Sequence, residues 1–143
     1  MDHAREGGAQ RVFGSPQLRA MIHLDTSFLI LSLVKGSAED RSLRAWLGAG
    51  DSLGIAAPAW AEFLCGPVRA SEIALAGRLL GTPVAFSGPE AEEAAKLFNA
   101  TGRRRATLLD CMIAATAISS GVPLATSNVA DFRRFVALGL TMA

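Results

Sequence analysis

The chain has 143 residues, half of them hydrophobic, and a formal net charge of +1. This length and composition predict one compact globular domain, and the near-neutral charge argues against a protein that coats nucleic acid through a broad basic face. Polar residues interrupt every apolar stretch well short of the ~20 residues that span a bilayer, and the polar N-terminus lacks the apolar stretch of a signal peptide. We therefore expect a cytoplasmic protein with no membrane partner.

The alternation of apolar segments with Gly and Pro divides the chain into short elements. Residues 1–20 are rich in Gly, Ala, Arg and Gln and have no apolar periodicity, so they predict a disordered N-terminal extension to a folded domain at 21–143. The predicted strands lie at 21–25, 53–57, 83–86, 122–126 and 139–142. The predicted helices begin near Thr26 and then occupy about 38–49, 58–65, 69–80, 88–102, 107–121 and 128–138. Thr107 is the predicted N-cap of its helix.

Strands that alternate with helices predict an α/β fold with a mainly parallel sheet of about five strands and helices on both faces. In such sheets, ligands bind at the carboxyl ends of the strands. Asp25 ends the first predicted strand, and Asp131 follows the fourth. Asp110 lies in the first turn of its helix, where the helix dipole favours an anion, and Glu62 lies one turn into the helix after the second strand. The fold therefore brings four distant acids to one edge.

These four acids have apolar or small neighbours, where a charged carboxylate is unfavourable without a partner. No Lys or Arg is adjacent in sequence to Asp25, Glu62 or Asp110. A shared divalent cation would satisfy all four, and carboxylate oxygens suit Mg²⁺ or Mn²⁺. Taken singly, each acid also has a plainer interpretation, as a helix cap for the three aspartates or as a solvated helix residue for Glu62.

Four motifs occur in order along the folded part: Leu-Asp-Thr-Ser at 24–27, Ala-x-x-Glu-Phe at 59–63, Leu-Asp-x-x-Ile-Ala-Ala at 109–115 and Ala-Thr-Ser-Asn-x-x-Asp-Phe at 125–132. In this combination the chain resembles the PIN-domain family, and most of all its VapC-type ribonuclease toxins of type II toxin–antitoxin systems. The resemblance implies a three-layer α/β/α sandwich and an endoribonuclease that uses Mg²⁺ or Mn²⁺. The implied metal ligands and catalytic residues are Asp25, Glu62, Asp110 and Asp131.

The same resemblance implies an RNA substrate, a cognate VapB-type antitoxin, a homodimer and products with 5′-phosphate and 3′-hydroxyl ends. Many family members carry an acid at the position of Asn128; we take Asp131 as the fourth acid here. Thr26, Ser127 and Asn128 are candidates to orient water, carboxylates or substrate.

Two arginine clusters adjoin the predicted site. Arg105 ends the run 103–105 just before the Asp110 helix, and it is a candidate phosphate contact. The plainer interpretation is a solvated loop face, and it is favoured still more for Arg133 and Arg134.

Two other functions stay open on the sequence. One is a non-catalytic PIN-like module that binds protein, and the other is a related DNA nuclease, because the acids do not distinguish RNA from DNA. A histidine-based ribonuclease is not favoured, since His3 lies in the extension and His23 is predicted to point out of its strand. The two cysteines, Cys65 and Cys111, are predicted to be buried free thiols.

Overall fold

The computed structural model describes residues 20–143. The predicted extension therefore lies, apart from Ala20, outside the described residues. The strands are β1 (Met21–Leu24), β2 (Ser52–Gly54) and β3 (Leu124–Ala125). The helices are α1 (Thr26–Ser32), α2 (Ala38–Gly48), α3 (Ala57–Cys65), α4 (Ala70–Leu80), α5 (Gly88–Ala100), α6 (Leu108–Ser120) and α7 (Val129–Arg133), with short 3-10 helices at Arg105–Thr107 and Val136–Leu138.

The three strands form a parallel sheet in the order β2-β1-β3. Two single parallel bridges extend its edges, Ala56 with Val84 and Leu124 with Met142. The predicted parallel α/β fold is confirmed, but the count of five strands is not, because the segments 83–86 and 139–142 each make one bridge. Pro83 has no N–H to donate and so limits pairing next to Val84.

Both faces of the central strand are covered. Ile22, His23 and Leu24 are consecutive and all buried, although successive side chains of a strand point to opposite faces. His23 is 2% exposed, so the prediction that its side chain points out of the strand into solvent is wrong. Alternation marks a solvent face only when one side of the sheet is open. Burial lowers the pKa of His23, so this side chain is neutral at pH 7.

Helix α6 is the central helix of the core and packs against α5 and α3. Six of its 13 residues are buried, and most of the six are small, which allows close packing: Cys111, Ile113, Ala114, Ala115, Thr116 and Ala117. Asp110 lies in the first turn of this helix. A rigid, buried helix thus carries one of the four acids to the edge of the sheet.

Three smaller predictions are wrong in detail. Cys111 is buried as expected, but Cys65 is exposed at the last residue of α3. Thr107 precedes α6 but its side chain makes no capping bond; its hydroxyl donates to the carbonyl of Arg104 at 2.7 Å. The predicted helix over 128–138 is two short pieces, since Phe135 bonds the carbonyl of Phe132, three residues back, at 3.0 Å.

No helix within residues 20–143 is long and apolar enough to cross a membrane.

Candidate functional site

Asp25 is fixed at the junction of β1, β3 and α1. It is the N-cap of α1, where its Oδ1 accepts a hydrogen bond from the backbone N–H of Thr26 at 2.8 Å. Its own backbone N–H donates to the carbonyl of Ala125 in β3 at 2.8 Å. The side chain is almost fully enclosed, with the residue 3% exposed. The end of the first strand therefore carries a buried, hydrogen-bonded carboxylate, at the position that the sequence predicts.

Two hydroxyls complete the surroundings of this carboxylate. Asp25 Oδ2 accepts from Ser27 Oγ at 2.7 Å and from Thr126 Oγ1 at 2.8 Å. The same two oxygens accept backbone N–H groups in turn, from Ser127 at 3.2 Å and Asn128 at 3.0 Å. Each hydroxyl oxygen thus accepts one backbone N–H, and each hydroxyl donates its own hydrogen to Asp25. The network fixes the orientation of the Asp25 carboxylate.

Asp110 faces this carboxylate from the first turn of α6. Burial raises the pKa of Asp110 to about 6, helped by the charges of Asp25, Asp131 and Glu62 and opposed by Arg134. Interactions of this kind require that the groups lie close in space. The fold therefore brings Asp25, Glu62 and Asp131 within electrostatic range of Asp110, although the four acids come from four separate parts of the chain.

Glu62 and Asp131 are more open than the other two acids. Both residues are exposed, Glu62 on α3 and Asp131 on α7. Glu62 borders an apolar groove of about 610 Å³ between α3, the start of α6 and the segment around Phe86. The other residues that line it are Ala57, Pro58, Ala61, Cys65, Leu109 and Met112. These two acids are open to solvent, whereas Asp25 is enclosed.

The residues predicted to support the acids divide into two groups. Ser127 is linked to Asp25 through Ser27, whose hydroxyl oxygen accepts the Ser127 N–H, but the hydroxyl of Thr26 turns away and donates to the carbonyl of Ala59 at 2.9 Å. Asn128 is exposed and makes no capping bond for α7. Arg105 is exposed in the 3-10 helix before α6, and it has no ion pair to the acids within residues 20–143.

Sequence reasoning missed two contacts. Glu39, in the first turn of α2, accepts a hydrogen bond from Ser127 Oγ at 3.0 Å. Arg134 lies with its Nη2 3.6 Å from Asp110 Oδ2, and its side chain is only 28% exposed, so it is not on a solvated face. Glu39 gives no signal in sequence, because an acid in a first helical turn is explained by the helix dipole alone. Arg134 is recognisable in the sequence as a basic residue, but the sequence does not show that it pairs with Asp110 on another helix.

The carboxylates of the site are the ligand type that a divalent cation prefers, but they are spaced too widely to hold one as they stand. Among residues 20–143, no three His, Cys, Asp or Glu side chains converge closely enough to hold a metal ion. The ligand types are those that Mg²⁺ and Mn²⁺ prefer, and the raised pKa of Asp110 reflects burial and repulsion that a bound cation would reverse. The residues therefore fit a cation, and the exposed acids would have to move in to bind it.

The profile of the PIN domain family matches residues 22–138, so the chain belongs to that family. No curated protein matches it. Similar solved structures include VapBC2 from Rickettsia felis bound to a promoter DNA fragment, with TM-score 0.68 and 18% identity over 86% of this chain and 97% of the other. FitAcB from Neisseria gonorrhoeae has TM-score 0.62 and 23% identity over 86% and 97%. A toxin–antitoxin complex from Klebsiella pneumoniae has TM-score 0.61 and 25% identity over 78% and 89%.

Asp110 should make the metal-free protein less stable as the pH rises from about 4 to about 6. Its pKa is about 6 when folded, against an ordinary value of 3.8, so the folded state holds the proton more tightly. The stabilisation from that proton is complete below the unfolded pKa and is lost as pH rises through the folded pKa. Asp110→Asn should abolish this loss, about 1–3 kcal/mol.

Urea unfolding in EDTA, at a series of pH values, measures this effect. The quantity to compare is the difference in unfolding free energy between wild type and Asp110→Asn. Glu92→Gln, which alters an exposed acid on α5, is the matched control and should leave the pH profile unchanged. A difference that is constant between pH 4 and 7 would contradict the prediction.

Proposed function

We propose that this protein is a metal-dependent endoribonuclease toxin, which hydrolyses RNA phosphodiester bonds and is neutralised by a cognate VapB-type antitoxin. The observation that carries the proposal is the acidic cluster, in which Asp25, Asp131 and Glu62 all act on Asp110. Membership of the PIN domain family over residues 22–138 adds to it. The proposed folded domain spans 21–143.

The proposed ligands of Mg²⁺ or Mn²⁺ are Asp25 and Asp110, with Glu62 and Asp131 completing the set directly or through water. When bound, the cation activates water and neutralises charge on the reacting phosphate. Asp25 supplies a fixed carboxylate, because Ser27 and Thr126 hold one of its oxygens in place. Asp110 must lose its proton to act as a ligand, and its pKa of about 6 makes it mostly ionised at pH 7.

Three further groups have proposed roles at the rim of the site. Ser127 and Asn128 lie in the loop after β3, and their backbone N–H groups donate to the hydroxyls that contact Asp25; their proposed role is to orient water or substrate. Arg105 is exposed just before α6 and is proposed to contact RNA phosphate. These roles rest on position alone.

The antitoxin proposal is supported by an apolar surface formed by α1, α2 and α4. A cavity of about 290 Å³ opens there, lined in part by Leu33, Leu43 and Leu79. Leu47 and Leu75, which also line it, are 39% and 41% exposed. An amphipathic segment of a partner protein is the usual occupant of such a groove. The Klebsiella pneumoniae structure is itself a toxin–antitoxin complex. We also propose that the chain forms a homodimer, as its resemblance to the PIN-domain toxins implies.

Incubation of purified, antitoxin-free protein with a total RNA pool tests the proposal. We expect discrete RNA fragments in Mg²⁺ or Mn²⁺, none in EDTA, and fragment ends that carry 5′-phosphate. Single-stranded DNA of matched length serves as a parallel substrate.

The outcomes separate the alternative functions. Cleavage of DNA with no cleavage of RNA would replace the proposal with a related DNA nuclease. No cleavage of several RNA sources by well-folded protein would favour a non-catalytic binding module. Cleavage of RNA that continues in EDTA would contradict the metal-dependent site.

A further inference from the structure

Arg134 lies at the end of α7 and reaches the acidic cluster. Its Nη2 is 3.6 Å from Asp110 Oδ2, and the two side chains are 28% and 29% exposed. Within residues 20–143, Asp110 has no other Lys, Arg or His nitrogen within 4.0 Å of its carboxylate. Arg134 is therefore the basic side chain that pairs with Asp110 in the part of the chain that the structure describes.

The guanidinium is placed by packing. Its central carbon lies 4.8 Å from the centre of the Phe135 ring, and Phe135 is fully buried. Its Nε is buried and has no hydrogen-bond partner among residues 20–143. An arginine stacked on an aromatic ring keeps its position and charge without using all its donors. The contact with Asp110 is thus an ion pair longer than a hydrogen bond, which can open while Arg134 stays stacked.

We propose that Arg134 is an internal counter-ion of Asp110, which partly neutralises it in the metal-free protein and competes with the divalent cation for it. The proposal rests on the proposed function, because it takes Asp110 as a metal ligand. Arg134 is a positioning residue in this account. It lowers the affinity of the site for metal and holds Asp110 in place until metal arrives.

The size of the effect follows from simple electrostatics. An opposite charge within ~4–6 Å changes the proton affinity of a carboxylate by roughly tenfold or more. A divalent cation that binds the same oxygen should feel a comparable penalty, reduced at high ionic strength because both side chains are partly exposed. The test is therefore best made at low salt.

Binding of Mn²⁺, measured by the electron paramagnetic resonance signal of the free ion, tests the proposal without any substrate. Arg134→Met removes the charge and retains an apolar stem over Phe135, and we expect it to bind Mn²⁺ about tenfold more tightly than wild type. Arg134→Lys retains the charge and should stay near the wild-type affinity. Arg133→Met, an exposed neighbour on α7, is the matched control for loss of one surface charge.

A second measurement does not need metal. In EDTA, Arg134→Met should destabilise the wild-type background more than the Asp110→Asn background, because only the first contains the ion pair. Equal effects in the two backgrounds, or unchanged Mn²⁺ affinity in Arg134→Met, would overturn the counter-ion role. If Asp110→Asn leaves Mn²⁺ affinity at its wild-type value, or if neither wild type nor Arg134→Met binds Mn²⁺, the proposed metal site fails and the competition with it.

Discussion

RNA cleavage by Asp110→Asn protein is expected to fall by about 100-fold or more, while the protein stays folded. Loss of a residue that only supports a metal ligand already reduces activity or metal affinity by roughly 10–100-fold, and Asp110 is proposed as a direct ligand. Asparagine has nearly the same shape and carries no charge. Since burial and three nearby acids disfavour the ionised form of Asp110, the substitution should leave stability at pH 7 unchanged or raise it.

The measurement is the rate of product formation from one mapped RNA site, at saturating Mg²⁺, for wild type and Asp110→Asn. Circular dichroism and a urea unfolding curve establish that the variant is folded. Glu92→Gln should cleave at the wild-type rate. Wild-type activity in Asp110→Asn would remove this residue from the catalytic site, and an unfolded variant would show that the carboxylate has a structural role that its contacts do not indicate.

Asp25→Ala is expected to lose both activity and about 1–3 kcal/mol of stability, in contrast to Asp110→Asn. Loss of an N-cap side chain costs about 0.5–2 kcal/mol. The hydroxyls of Ser27 and Thr126 also lose their shared acceptor, and a buried donor without a partner costs roughly 1–3 kcal/mol. Relief of repulsion with Asp110 offsets part of this loss.

Urea unfolding in EDTA separates the two roles of Asp25. Asp25→Asn retains an oxygen that can accept from the N–H of Thr26, so it should be more stable than Asp25→Ala while remaining inactive. Asp131→Ala, which changes an exposed acid of the same cluster, should alter stability by less than about 0.5 kcal/mol. Equal stability of Asp25→Ala and wild type would mean that the hydroxyl network contributes nothing to the fold.

Sequence predicted the parallel α/β fold because its signals were local. Apolar runs bounded by Gly and Pro mark the helices to within one or two residues, as at α2 and α4. The segments at Val84 and Met142 were predicted as strands, but each makes only a single bridge. The length of a strand depends on how far two neighbouring segments run side by side. The sequence pattern does not indicate how long two segments stay paired.

The candidate site divides in the same way. The carboxyl ends of β1 and β3 brought Asp25 and Thr126 together as the sheet rule predicts. The contacts of Glu39 with Ser127 and of Arg134 with Asp110 join separate elements, and both depend on side-chain orientation. His23 was misplaced for a related reason, because only the packed structure reveals that both faces of β1 are covered.

The bond between Thr126 and Asp25 spans 101 positions of the chain, and this has a consequence for biosynthesis. A ribosome must make almost the whole domain before β3 can pair with β1 and Thr126 can reach Asp25. Asp131 emerges later still. A growing polypeptide of this sequence, or one cut short by a damaged message, therefore lacks the arranged acids. Any activity that depends on them begins only when translation of the domain is nearly finished.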